Sequence, residues 1–379
     1  MRVLAFSHDG LLYGAQRSLL ELLAALRTRG HEPTLAVPAD GRLAVAAAET
    51  GLPARIVPYP YPSTRPERAL GFGLRYGAAA RRIRALVADE EPDAVIFNTA
   101  ACIAPAAALR RSPVPRLWHV REAAPCCRVV SRLLRRWSDA VVFNSRHTAA
   151  AYPRLRDLKT CAVVHNGLDL AVPDASEVEV VRREFGWEGG DTVAVFVGQL
   201  RRHKDPAAVV AVAGEARRRG VGLKVAVVGD GPLLPALRRQ VRELSLEDRV
   251  ALTGFRRERT AILAAADLLL CPSQREPFGR VAVEAMALGL PVVAAHVGGL
   301  PEIVLHGETG LLIPPEDRDA LFNAVARLTA DRDLRRELGE AGRRRYLDRF
   351  TADVYAANME QVLVRLTSIQ DARSGGGSN

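Results

Sequence analysis

The sequence predicts an α/β protein made of two doubly wound, Rossmann-like domains, and three observations carry that expectation. Short β-branched or apolar runs alternate with longer Ala/Leu/Arg-rich segments of helical character, the rhythm of βα units around a parallel sheet. The rhythm occurs twice, with a first series starting at Arg2 and a second at Thr192. A length of 379 residues at 48% hydrophobic content supports two ordinary cores and is not that of a disordered chain.

Strands of the first series are expected at 2–6, 34–37, 94–98, 116–120, 140–144 and 162–165, with a helix over 16–29 between the first two. The second series comprises 192–197, 223–228, 267–271 and 291–295, with a helix over 206–219. Between the series, Gly167, Pro173, Asp174 and a short charged helical stretch place a linker at 168–185. The expected domains are therefore 1–170 and 171–350. Apolar Val354, Met359, Val362, Leu363 and Leu366 recur at helical spacing, so a final docking helix over 351–370 is expected to pack back towards the first domain. Residues 371–379 read as a flexible tail. No fixed short repeat occurs, which weighs against a solenoid.

The formal net charge of +10 admits a phosphate-bearing or otherwise acidic partner. Lys159, Lys204 and Lys224 are the only lysines, so nearly all positive charge is arginine, as a G+C-rich genome would also produce. Nucleic acid is not among the expected partners. The apolar runs 207–214 and 268–271 fall short of the roughly 20 residues that span a bilayer. Ser7-His8-Asp9 follows the first strand too soon for a signal peptide, so a cytoplasmic enzyme is expected, with peripheral contact at the inner membrane face left open. Cys102, Cys126, Cys127, Cys161 and Cys271 include no C-x-x-C pair and read as reduced structural thiols.

The segment 271–294 presents a strand, a polar loop and a helix in order. Glu276 lies in the loop and Glu284, eight positions on, about a turn inside the helix. Pro277 and Gly279 suit a turn into that helix, whose free N–H groups and positive dipole end can receive a diphosphate. A loop carboxylate can accept hydrogen bonds from sugar hydroxyls, and one in the first turns can hold a ribose. On spacing alone, helix-terminal charge with a surface salt bridge accounts for the pair equally well.

With these residues the chain resembles the retaining GT-B glycosyltransferases of the large group 1, GT4-like family, which includes bacterial phosphatidylinositol mannosyltransferases and sucrose synthases. Glu276-x7-Glu284, within Glu-Pro-Phe-Gly and ahead of Gly289-x-Pro291-Val-Val, looks like that family's E-x7-E signature. Gly14-Ala-Gln-Arg17, His119, Asn166-Gly-Leu-Asp169, Gly198-Gln-Leu200 with Lys204, Gly229-Asp-Gly-Pro232, Gly254-Phe255, Gly298-Gly-Leu-Pro-Glu302 and Gly307-x-x-Gly310 extend the likeness over nearly the whole chain.

The resemblance implies two Rossmann-like domains facing a central cleft. It implies transfer of a hexose or N-acetylhexosamine, with retention, from a UDP- or GDP-sugar to a hydroxyl acceptor: a glycan, a lipid-linked molecule or a specialised metabolite. In that scheme Glu276 positions the sugar, Glu284 holds the ribose, and Lys204 with Arg201 and the Gly279, Arg280 and Val281 amides after Phe278 bind the diphosphate. Phe255 and Arg256 lie against the base, His119 beside the sugar, and Gly14 at the diphosphate. The family usually has arginine where this chain has Gln199, so Arg201 or Arg202 must supply the guanidinium. No cofactor is implied, and no metal: fixed cations and N–H donors can stabilise a departing phosphate. Asp317-Arg-Asp319 and Asp331-Arg-Asp333 spell the D-x-D pattern of metal-dependent transferases but read as helix-start residues.

Several readings stay open at this level. Phe255 suits core packing as well as stacking on a base. The helix over 128–137 carries Arg128, Arg132, Arg135 and Arg136 on one face, which fits an anionic membrane or lipid diphosphate and equally an ordinary surface helix. Residues 58–84 form an acceptor loop or a long connection. A nucleotide-sugar 2-epimerase-like enzyme, a pyridoxal-dependent phosphorylase and a non-catalytic nucleotide-sugar-binding protein share the architecture, although no lysine sits in a recognisable cofactor motif.

Overall fold

The computed structural model describes residues 1–60, 66–122, 127–155, 160–187 and 190–375. The chain divides into two compact units, one formed by Met1–Leu168 with Thr351–Asn379 and the other by Asp169–Phe350.

In the first unit the order is β1 (Arg2–Ser7), α1 (Gly14–Thr28), β2 (Glu32–Val37), α2 (Arg42–Glu49), β3 (Ala54–Ile56), α3 (Pro66–Glu90), β4 (Ala94–Asn98), α4 (Ile103–Ala108), β5 (Arg116–Val120), α5 (Cys127–Trp137), β6 (Ala140–Phe143), α6 (Arg146–Ala150) and β7 (Cys161–Val163). The strands form one parallel sheet in the order β3-β2-β1-β4-β5-β6-β7. Alternation along β1 feeds a core on each face, because successive side chains of a strand point to opposite sides. Leu4 and Phe6 pack with Ile83, Phe97 and Trp118, while Val3 and Ala5 pack with Leu19, Leu22 and Leu26 of α1.

The second unit runs through α7 (Ala175–Glu184), β8 (Thr192–Val197), α8 (Pro206–Arg218), β9 (Leu223–Val228), α9 (Leu234–Glu243), β10 (Val250–Gly254), α10 (Arg259–Ala265), β11 (Leu268–Cys271), α11 (Arg280–Ala287), β12 (Val292–Ala295), α12 (Leu300–Ile303), β13 (Gly310–Ile313), α13 (Arg318–Ala330) and α14 (Arg332–Arg349). Its parallel sheet has the order β10-β9-β8-β11-β12-β13. The last helix, α15 (Ala352–Gly375), belongs to the first unit and sets Tyr355, Met359, Leu363 and Leu366 into the core beneath α1.

Three expectations change. The short charged helical stretch expected inside the 168–185 linker is helix α7, but it belongs to the second unit rather than to a connection, closed by a capping box between Asp174 and Glu177 and anchored by buried Val181. Residues 66–84, read as loop or connection, lie within helix α3, where a run of alanines at 78–80 outweighs the scattered glycines; 61–65 lie outside the described residues. The final helix reaches Gly375, beyond the start assigned to the tail, and 376–379 lie outside the described residues. Asp317 and Asp331 are N-caps, accepting from the Ala320 and Leu334 amides at 2.8 Å each, as helix-start carboxylates do. Cys102, Cys161 and Cys271 are free thiols, while Cys126 lies outside the described residues.

Candidate active site

In an open parallel sheet the crevice for a ligand opens at the carboxyl ends of the strands, where the strand order reverses. In the second unit that reversal lies between β8 and β11. The loop after β8 carries Arg201 and Lys204, and the loop after β11 carries Glu276. These are two of the segments that the sequence singles out, separated by 72 residues and brought together by topology.

Backbone contacts hold the loops in place. The Gln274 N–H donates to the His203 carbonyl at 2.8 Å, and the Gly299 N–H donates to the Glu276 carbonyl at 2.9 Å. Gly298 has φ +60°, and a Cβ there would lie 1.8 Å from the Glu276 carbonyl oxygen. Gly229, with φ +143°, has the same relation to the Gly198 carbonyl, also at 1.8 Å. Only glycine permits both approaches.

Lys204 Nζ donates to Glu276 Oε2, so the cation assigned to phosphate and the carboxylate assigned to sugar neutralise each other, both partly exposed. Glu284 is only 3% exposed in its side chain. Its Oε1 accepts from Arg259 Nη2 at 2.9 Å and from Arg280 Nη2 at 3.4 Å, while its Oε2 is buried without a hydrogen-bond partner. A buried carboxylate oxygen left unpaired costs of order 1–3 kcal/mol and marks a place for a donor. Gly279, φ +112°, is the N-cap residue of helix α11 and leaves the helix start with no side-chain cap. Val281 is half-buried in its first turn. Phe278 is buried, edge to face with Phe350 at 6.3 Å, so its ring is a core element.

Phe255 stands 65% exposed at the end of β10, which rules out core packing and leaves its ring open to a flat ligand. Its neighbour Arg256 is held in a bidentate pair with Glu184 at 2.7 and 2.8 Å and by Glu258 at 2.6 Å, an arrangement that ties α7 to β10. Arg201 and Arg202 are exposed around a short 3-10 turn. Burial pushes the Cys271 thiol up to about 12, so this residue at the site's edge is inert.

The first unit reverses its strand order between β1 and β4. Gly14 is exposed there, in the opening turn of α1, which no side chain caps. His119, near the carboxyl end of β5, is fully buried. Burial, and then the Arg121 guanidinium, hold its imidazole well below the ordinary histidine range.

Two groups at these reversals escape sequence reasoning. Arg259 is recognisable only through its contact with Glu284. In the first unit His8 Nε2 lies 3.1 Å from Asp9 Oδ2 and Nδ1 3.0 Å from Thr99 Oγ1, and Gln16 Nε2 donates to Asp9 Oδ1 at 2.8 Å. Thr99 has φ +74°, a strained conformation for a β-branched residue, braced by a 2.6 Å hydrogen bond from the Trp118 indole to its carbonyl. The polar run Ser7-His8-Asp9 after β1 was the available signal for this cluster.

Residues 13–172 match the model of Glycosyltransferase Family 4, and residues 177–345 match that of glycosyl transferases group 1. The chain is 30% identical over 374 residues to the GDP-mannose-dependent alpha-(1-6)-phosphatidylinositol monomannoside mannosyltransferase of Mycolicibacterium smegmatis, covering 92% of this chain and 94% of that one. It is also 30% identical to the N-acetyl-alpha-D-glucosaminyl L-malate synthase of Bacillus anthracis, over 55% of this chain and only 53% of that relative. Among solved structures, Anabaena Alr3699/HepE in complex with UDP-glucose superposes with a TM-score of 0.81 at 25% identity, covering 97% of this chain and all (100%) of that chain. Sucrose-phosphate synthase from Thermosynechococcus elongatus shares the fold with a TM-score of 0.78 at 23% identity, over 97% of this chain and 100% of that one. The strand orders, the paired loops of the second sheet and these likenesses converge: the chain belongs to the group 1, GT4-like glycosyltransferases of GT-B fold.

Proposed function

We propose that this glycosyltransferase moves a hexose or N-acetylhexosamine from a UDP- or GDP-sugar to a hydroxyl acceptor, with retention at the anomeric carbon and without a metal. The observation that carries the reading is the unpartnered, buried Oε2 of Glu284, which a ribose hydroxyl can satisfy while Arg259 and Arg280 hold Oε1. Phe255 offers its exposed ring to the base. The diphosphate takes the uncapped start of α11, with Arg201 and Lys204 as its cations. Lys204 then turns from Glu276 to phosphate, and the released carboxylate accepts from the sugar. Negative charge that grows on the leaving phosphate is stabilised in place by these groups.

His119 and Gly14 are assigned to the sugar and the diphosphate. The acceptor hydroxyl is assigned to the cluster of His8, Asp9 and Thr99, where backbone strain and a carboxylate coincide. Exposed Arg128, Arg132, Arg135 and Arg136 on α5, with Val129 also exposed, suit an acceptor carried on an anionic membrane. Among the described residues no helix is long and apolar enough to cross a membrane.

Transfer assays with a panel of UDP- and GDP-sugars test the proposal. Glu276→Ala is expected to lower kcat by about 100-fold or more, and Glu284→Ala to weaken nucleotide affinity about tenfold or more. Lys204→Ala should lose affinity for nucleoside diphosphate more than for nucleoside. Wild-type kinetics in both carboxylate variants, or transfer from none of the sugars, overturns the reading.

A further inference from the structure

His119 lies at the end of a buried chain of hydrogen bonds that runs through Tyr355 to Arg121. His119 and Arg121 lie two residues apart at the end of β5, on one side of the strand direction. Both are buried, as is Tyr355 from the first turn of α15. Among the described residues the Arg121 guanidinium donates three hydrogen bonds: Nε to Asn98 Oδ1 at 2.6 Å, Nη1 to Asn166 Oδ1 at 2.6 Å and Nη2 to Tyr355 Oη at 3.0 Å. These three acceptors are all neutral side chains. Tyr355 Oη in turn lies 3.4 Å from His119 Nδ1.

The direction of this chain follows from what each group can do. A guanidinium has only donors, so Tyr355 Oη accepts from Arg121. The cation draws electron density from the phenolic oxygen, which makes the hydroxyl a stronger donor and a poorer second acceptor. Its proton is thereby directed at the lone pair of Nδ1. An uncharged imidazole that accepts at Nδ1 carries its single proton on Nε2. That nitrogen is buried and has no hydrogen-bond partner.

We propose that Arg121 and Tyr355 are positioning residues for glycosyl transfer: acting through Nδ1, they fix His119 as the Nε2–H tautomer, a neutral hydrogen-bond donor reserved for an oxygen of the sugar. The role in transfer rests on the assignment of His119 to the sugar made above, whereas the tautomer is a property of the ligand-free protein. Neutrality is useful at such a position. An imidazolium would be drawn to the diphosphate, while an N–H dipole discriminates by direction and selects a hydroxyl or ring oxygen.

The test is the two-bond ¹H–¹⁵N correlation spectrum of full-length protein labelled at histidine, with the His119 signals identified by their loss in His119→Gln. At neutral pH, Nε2 is expected to be pyrrole-like and Nδ1 pyridine-like. Tyr355→Phe, which keeps the packed ring and removes the hydroxyl, is expected to shift the pattern towards a mixture of tautomers. It should lower kcat by about tenfold, on the scale of one hydrogen bond, with little change in KM for the sugar nucleotide. If Tyr355→Phe melts early, Arg121→Lys keeps the charge, removes the planar donor to Tyr355 and is read by the same spectrum. A wild-type proton on Nδ1, or an unchanged spectrum in both variants, overturns the relay. Because the spectrum is recorded without sugar nucleotide, it judges the relay whatever the transfer assay returns.

Discussion

His119 and Glu284 each keep one polar atom buried and unsatisfied, and for the histidine this has a consequence that pH can expose. Its folded-state pKa is depressed, by burial first and by Arg121 second, so the unfolded chain binds the proton more tightly. The associated stability is present above the unfolded value of about 6.5 and declines as pH falls below it, towards the folded pKa. Urea unfolding followed from neutral to mildly acidic pH should show that decline, and His119→Gln should flatten it by up to about 1.4 kcal/mol per pH unit. Parallel profiles for the two proteins would show that His119 does not titrate in this way. Glu284 differs because two guanidinium groups fix one of its oxygens, which leaves the other free to receive a hydroxyl without any loss of neutralisation.

Elements bring these residues together, and glycines set how closely. The loop after β11 lies directly over Gly298, whose φ of +60° and missing Cβ admit the Glu276 carbonyl. Gly298→Ala is therefore expected to destabilise the protein by about 2 kcal/mol or more and to displace Glu276, lowering kcat more than nucleoside affinity. A variant with wild-type melting and turnover would mean that the loop is held by other contacts. At this scale much was legible in the sequence. The runs at 192–197 and 223–228 are strands because short, valine-rich, largely apolar runs suit a sheet buried on both faces. The three-residue strand β3 carried too few residues to display a period. In the candidate site, Glu276, Glu284 and Lys204 were legible because spacing and turn chemistry are local. The pairing of Lys204 with Glu276, and the contacts of Arg259, Thr99 and Tyr355, depend on which strands become neighbours, and no local pattern encodes that.

Across the whole molecule, the first unit is assembled from two separated stretches of chain. Tyr355, Met359, Leu363 and Leu366 of α15 are buried in the same core as Leu19, Leu22 and Leu26. At about 1.5–3 kcal/mol for each large apolar side chain, their burial rivals the net stability of a domain, about 5–15 kcal/mol. A chain ending at Phe350 should therefore lose protection from limited proteolysis throughout residues 1–168 and retain it across 169–350. Equal protection of both parts would show that α15 is dispensable.

The same discontinuity orders the birth of the protein. As the polypeptide leaves the ribosome, everything needed for the second sheet has emerged by Phe350, whereas the first sheet, though translated earlier, lacks its closing helix until α15 appears. The half that begins later in the chain can thus mature first, and the amino-terminal strands keep the α1 face uncovered until α15 emerges to close it.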